Sequence, residues 1–78
     1  MTLKSQYLVF PEGDRQEIEH SLRVNQIVDL NGNVLPLPLR NPKIIAYRIV
    51  KVRTVPTLGE ENTYYYLELV PVTELSGL

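Results

Sequence analysis

The chain has 78 residues and no cysteine, and its eight lysines and arginines stand against nine aspartates and glutamates, a formal net charge of −1. Without a disulfide or a thiolate–metal staple, a packed sheet, an oligomeric interface or a larger assembly must supply stability, because a single core is marginal at this length. The charge balance argues against a dedicated non-specific nucleic-acid binder, and the hydrophobic (44%) and charged (22%) shares are those of a globular chain, not a disordered one.

The first strand is expected over Ser5 to Phe10, where Tyr7, Leu8, Val9 and Phe10 are all strand formers. Pro11 ends it, having no N–H to give a ladder, and Glu12-Gly13-Asp14 supplies a turn. This opening apolar run is too short for a signal-peptide core or a membrane span. The expectation is therefore a soluble, cytoplasmic protein.

Arg15 to Leu22 fits two patterns. Asp14 with Glu17 resembles a capping box and Ile18 with Leu22 lies at helical spacing, yet Ile18, His20, Leu22 and Val24 alternate with polar neighbours as in a strand. Two apolar residues are a thin anchor for a helix, and the strand is favoured. A half-buried strand is expected over Leu22 to Leu30, followed by Asn31-Gly32 as a two-residue type I′ turn. That turn would set Leu30 opposite Asn33 and Val28 opposite Leu35. The return, Val34-Leu35-Pro36-Leu37-Pro38-Leu39, carries two prolines. It is expected at a sheet edge or as a polyproline-like segment lying on the core, and Arg40-Asn41-Pro42 ends it.

The longest β-prone stretch follows: Ile44 to Val55 and Thr63 to Val70, joined by Thr57-Leu58-Gly59-Glu60. Taken as a four-residue loop, Thr57 to Glu60 places Val55 opposite Asn62, Val52 opposite Tyr65 and Val50 opposite Leu67 on the inner face. Arg53 then meets Tyr64 and Lys51 meets Tyr66 on the outer face. Ile45, Tyr47 and Ile49 share the other parity, so the inner face must change within the strand, which implies a bulge near Ile49-Val50. Residues 73–78 are expected to fray. The fold predicted is one all-β domain over residues 1–78: a small antiparallel β-barrel or two-sheet roll, SH3-like or OB-like, of about six short strands with little or no helix.

Catalytic groupings are nearly missing. His20 is the sole histidine and no neighbour in sequence makes it a general base; a strand histidine at a rim or in solvent is the plainer role. Glu17 with Glu19, and Glu60-Glu61 beside Asn62, lack the spacing of a calcium loop and read as solvated charges. Gly13, Gly32 and Gly59 stand alone, so no phosphate loop or dinucleotide fingerprint exists. The prolines of Leu35 to Arg40 lie two apart, whereas a proline-rich docking ligand needs three. No cofactor, metal or small-molecule substrate is expected, and no enzymatic activity.

One feature rises above this background. Arg40, Lys43, Arg48, Lys51 and Arg53 form a run with no acidic residue inside it, and its outer face meets tyrosines. The candidate interaction face is Arg48, Lys51, Arg53, Tyr64 and Tyr66. Tyrosine and arginine are the residues enriched at interface hot spots, and docking or self-association would also supply core that a short chain lacks. A non-enzymatic binding or assembly module, acting on a protein partner or on another copy, is the favoured function. Single-stranded nucleic acid, stacked on the tyrosines and tracked by the cations, is the alternative.

Overall fold

A computed structural model describes residues 3–39 and 43–78. The elements are β1 (Leu3–Val9), β2 (Arg15–Ile18), β3 (Ile27–Val28), β4 (Tyr47–Thr57), β5 (Glu60–Leu69) and a single helical turn, α1 (Val72–Leu75). The five strands make one mixed sheet in the order β2-β1-β5-β4-β3, curled into a half-barrel. The mostly-β expectation holds with one strand fewer than predicted. The pairing sense differs at one seam, because β1 runs parallel to β5, Leu8 beside Tyr65 and Tyr7 beside Tyr64. Local turn signals specify hairpins, which are antiparallel, and carry no information about which distant strand closes the sheet.

Both early turns are three-residue loops of one design. Phe10 N–H donates to the Asp14 carbonyl and Gly13 N–H donates to the Phe10 carbonyl. In the second loop Asp29 N–H donates to the Asn33 carbonyl and Gly32 N–H to the Asp29 carbonyl. In each, glycine takes the last loop position at positive φ, 99° at Gly13 and 82° at Gly32, the pattern of a turn followed by a left-handed residue. The two-residue type I′ turn expected at Asn31-Gly32 is therefore corrected: Asn31 is not at positive φ, and Val28 faces Val34, not Leu35. The Asp29 carboxylate explains the change. It accepts the N–H groups of Asn31 (2.8 Å) and Asn33 (3.0 Å) and wraps the longer loop around itself.

Strand replaces helix at Arg15, as favoured, but it ends at Ile18. Residues 19–26 form a loop with Asn25 at φ 75°, and only Ile27–Val28 of the strand expected over Leu22–Leu30 is realised. That loop lies across the concave side of the sheet, where Leu22 and Val28 join Leu8, Phe10, Ile18, Tyr47, Ile49, Tyr65 and Leu67 in the main core. Phe10 meets Tyr47 edge-on, ring centres 5.2 Å apart. A smaller cluster on the other side of β3 joins Ile27, Ala46, Val70 and Leu75, with Leu35, Leu39 and Leu78 against it. The proline-marked segment thus lies on a core, and its leucines divide: Leu35 and Leu39 pack and Leu37 stays exposed. The fraying expected of 73–78 is also corrected. Leu75 is 2% exposed, and Leu39 N–H donates to the Leu78 carbonyl.

The β4–β5 hairpin sets Val55 opposite Asn62, Val52 opposite Tyr65, Arg53 opposite Tyr64 and Lys51 opposite Tyr66, with a register shift between Ile49 and Lys51. Bulge and register are those read from the sequence, except that Ile49, not Val50, faces Leu67, and that Thr57 pairs with Glu60, which shortens the expected four-residue loop to Leu58-Gly59. Val50 is the extra residue of the bulge. Ile44 and Ile45 precede the strand instead of starting it.

Candidate functional site

The outer face of β2, β1, β5 and β4 collects aromatic and basic side chains in two rows. Register places Arg15, Val9, Tyr66 and Lys51 in one row and Glu17, Tyr7, Tyr64 and Arg53 in the next. Their side chains share a face because each row crosses the sheet directly, and residues two apart on a strand point the same way. Tyr65, between Tyr64 and Tyr66, points inward and is buried. Its hydroxyl donates to Gln6 Oε1 at 2.5 Å.

Within the patch Tyr7 and Tyr64 stack with ring centres 5.5 Å apart and 20° between their planes. The Arg15 guanidinium carbon lies 5.4 Å from the centre of the Tyr64 ring, and Lys51 Nζ lies 5.9 Å from that of Tyr66. Exposed contacts of this kind contribute about 0.5–1 kcal/mol each. Their structural effect is to hold long side chains flat across the sheet, so the patch is pre-ordered. Arg53, opposite Tyr64, makes no ion pair among the described residues.

The structure brings Lys51, Arg53, Tyr64 and Tyr66 together and separates Arg48 from them. Arg48 lies on the same face one step toward α1, where it pairs with Glu68 (3.9 Å) and Glu74. It fastens the helical turn to the sheet and is not an open cation. Arg40 lies outside the described residues, and Lys43 precedes β4. Sequence reasoning missed two patch members, Tyr7 and Arg15. Both enter through the parallel β1–β5 seam, which left no local signal; the alternation Tyr7, Val9 was legible, but not the strand it would lie beside.

The inner assignment needs correction at two positions. Tyr65 and Leu67 are inside, but Val50 and Val52 are 45% and 37% exposed. Val50 is displaced by the bulge, and Val52 lies beyond the reach of the loop that covers the core. His20 acts structurally, since its Nε2–H donates to the Gly32 carbonyl at 2.7 Å and ties the β2 end to the Asp29–Asn33 loop. Among the described residues no three His, Asp or Glu side chains converge as metal ligands do, and no helix is long and apolar enough to cross a membrane. An open groove beside Arg15 is lined by Phe10, Glu12, Asp14, Gln16, Leu30, Asn31 and Tyr47.

Fold and patch together define a small half-barrel domain with a basic-aromatic outer face. A family model described as "Uncharacterised Treponema protein" matches residues 2–78, and the chain belongs to that family. No curated protein and no solved structure matches the chain.

Proposed function

We propose that the chain is a non-enzymatic binding or assembly module, built on a curled sheet of the SH3-like or OB-like kind. It contacts a protein partner or a second copy through the outer face of β1, β5 and β4. The observation that carries this reading is the ordered patch: Tyr7 stacked on Tyr64, Arg15 over Tyr64, Lys51 beside Tyr66, and Arg53 free of ion pairs among the described residues. Rigid aromatic rings flanked by arginine lose little side-chain freedom on docking, which is why such groups anchor interfaces. The single histidine is engaged with a backbone carbonyl, which supports the non-enzymatic reading.

A patch of this composition would also suit single-stranded nucleic acid. Stacking a base needs an open ring face, and the Tyr64 ring is already engaged by Tyr7 and Arg15. That weighs toward protein. The test is sedimentation together with affinity capture, comparing the natural chain with a Tyr64→Ala/Tyr66→Ala variant. Loss of association in either is expected, and unchanged association in both overturns the reading. Titrating a fluorescent oligonucleotide at low and high salt separates the two ligands. Salt-sensitive binding that Arg53→Glu abolishes would transfer the patch to nucleic acid; no binding at low salt leaves it to protein.

A further inference from the structure

Among the described residues the edge of β4 is covered only at its beginning. Asn25 N–H donates to the Ile49 carbonyl (2.7 Å), Ile49 N–H donates to the Gln26 carbonyl (3.1 Å), and β3 pairs with Tyr47 and Arg48. From Lys51 to Thr57 that edge meets no other strand among the described residues. We propose that it is the seam of a homodimer, in which β4 pairs antiparallel with β4 of a second copy about a two-fold axis at Thr54. This rests on the reading of the chain as an assembly module, names the second copy as partner and moves its contact from the outer face to the β4 edge.

The backbone selects this register. Thr57 and Glu60 close a two-residue loop, which makes them a pair that exchanges both backbone bonds. Alternation then turns Val55, Arg53 and Lys51 toward β5 and leaves the backbone groups of Val52, Thr54 and Pro56 facing outward. Thr54 opposite Thr63 is accordingly a pair without mutual backbone bonds, the kind whose side chains stand closest, and their hydroxyl oxygens are 3.2 Å apart. Pro56 sits where its missing N–H faces solvent, one of the few places where a strand accepts proline without loss.

With the axis at Thr54, the two Thr54 residues exchange both bonds, and each Val52 N–H donates to the Pro56 carbonyl of the other copy. No outward N–H is stranded. An axis at Arg53 would form as many bonds but would set Arg53 against Arg53 in a close pair, and like charges directly opposite destabilise a sheet. An axis at Val55 would oppose Thr54 to Pro56 and lose half the bonds.

Charge agrees with the same register. Lys51 comes to lie opposite Thr57 of the second copy, and beyond that small residue on the same face is Glu60, its hairpin partner. A lysine stem spans one threonine, so each Lys51, swung off the Tyr66 ring of its own copy, reaches a Glu60 of the other copy, twice by symmetry. On the opposite face Val52, 37% exposed, meets Pro56. The edge is thereby self-complementary in hydrogen bonds, charge and apolar contact, as a two-fold interface requires.

The experiment is analytical ultracentrifugation of the full chain over a concentration series. The natural chain is expected to dimerise. Thr54→Pro removes an N–H that the fold does not use and should raise the dimer dissociation constant about tenfold or more, with circular dichroism unchanged. If that variant fails to fold, the charge pair decides: Lys51→Glu and Glu60→Lys should each weaken the dimer about threefold, and the double variant should restore it. A chain that stays monomeric to about 1 mM overturns the seam. So does association that a folded Thr54→Pro leaves unchanged, or charge variants that all behave alike. A monomer whose protein capture depends on Tyr64 and Tyr66 overturns the seam while leaving the assembly reading in place.

Discussion

β4 passes through two different environments within a few residues. At its root, Tyr47 and Ile49 are buried, with the 19–26 loop over the concave side and α1 with the proline segment packed beside β3. Beyond the bulge the same strand, still paired to β5 and rich in valine, becomes part of a bare tongue in which Val52 is exposed and Leu58 at the tip is fully so. The 44 × 23 × 16 Å extents record that projection. Strand formation and burial are thus separate matters here. Propensity and pairing carry the hairpin to its tip, but burial stops where the covering chain stops. The root is where the fold is stabilised, and the tongue is where backbone and side chains remain open to a partner.

The sharpest way to break that contrast is to make one cut at each end. Ile49→Ala empties a site of zero exposure in the main core and should destabilise by about 2–5 kcal/mol. Val52→Ala, three residues along the same strand, should change stability by about 0.5 kcal/mol. Denaturant titration of the two variants measures the difference. Equal losses would mean that the tongue is covered in solution.

The next largest effect tests what holds the cover on the root. Gly32 has φ 82°, and a Cβ there would lie 2.9 Å from Leu8 Cδ1 and 3.3 Å from Ile18 Cγ2. Gly32→Ala therefore combines left-handed strain of about 1–2 kcal/mol with crowding of a buried leucine, and a loss of about 2–4 kcal/mol is expected by thermal or chemical denaturation. Gly13→Ala, at a like φ but with open space around it, should show the strain alone. A Gly32 variant no worse than the Gly13 variant would mean that the Asp29–Asn33 loop does not press on the core.

The same loop marks the boundary of what the sequence could disclose. The pairing of Lys51 with Tyr66 and Arg53 with Tyr64 follows from a turn and a two-residue period, and the change of parity after Ile49 announces the bulge. These are local signals. The Asn31-Gly32 register differs from its expectation because a side chain, Asp29, lengthens the loop by one residue, and a dipeptide cannot show that. Val50 is turned aside by the bulge itself, but placing Val52 inside fails for a different reason. Period two states which residues share a face, not whether anything lies over that face. Four of the five candidate site residues come together because they form two cross-strand pairs of one hairpin, Lys51 with Tyr66 and Arg53 with Tyr64. Tyr7 and Arg15 depend on a parallel seam between strands far apart in sequence. Arg48 is taken by Glu74, on a helical turn where the sequence suggests only a fraying end.

The smallest predicted effect sits at the join between root and tongue. Tyr65 is the last buried aromatic before β5 runs out into solvent, and its hydroxyl reaches back to Gln6 of the neighbouring strand. Tyr65→Phe keeps the ring and removes that bond, leaving a half-buried amide oxygen to find water. Stability should fall by about 0.5–1.5 kcal/mol. If the bond serves mainly to fix where β1 and β5 part from the core, amide exchange should rise first in Leu3–Gln6 and Glu60–Thr63, with Ile49 unchanged. Uniform loss of protection would instead tie the tongue to global unfolding, and the two regions of the sheet would then be one cooperative unit.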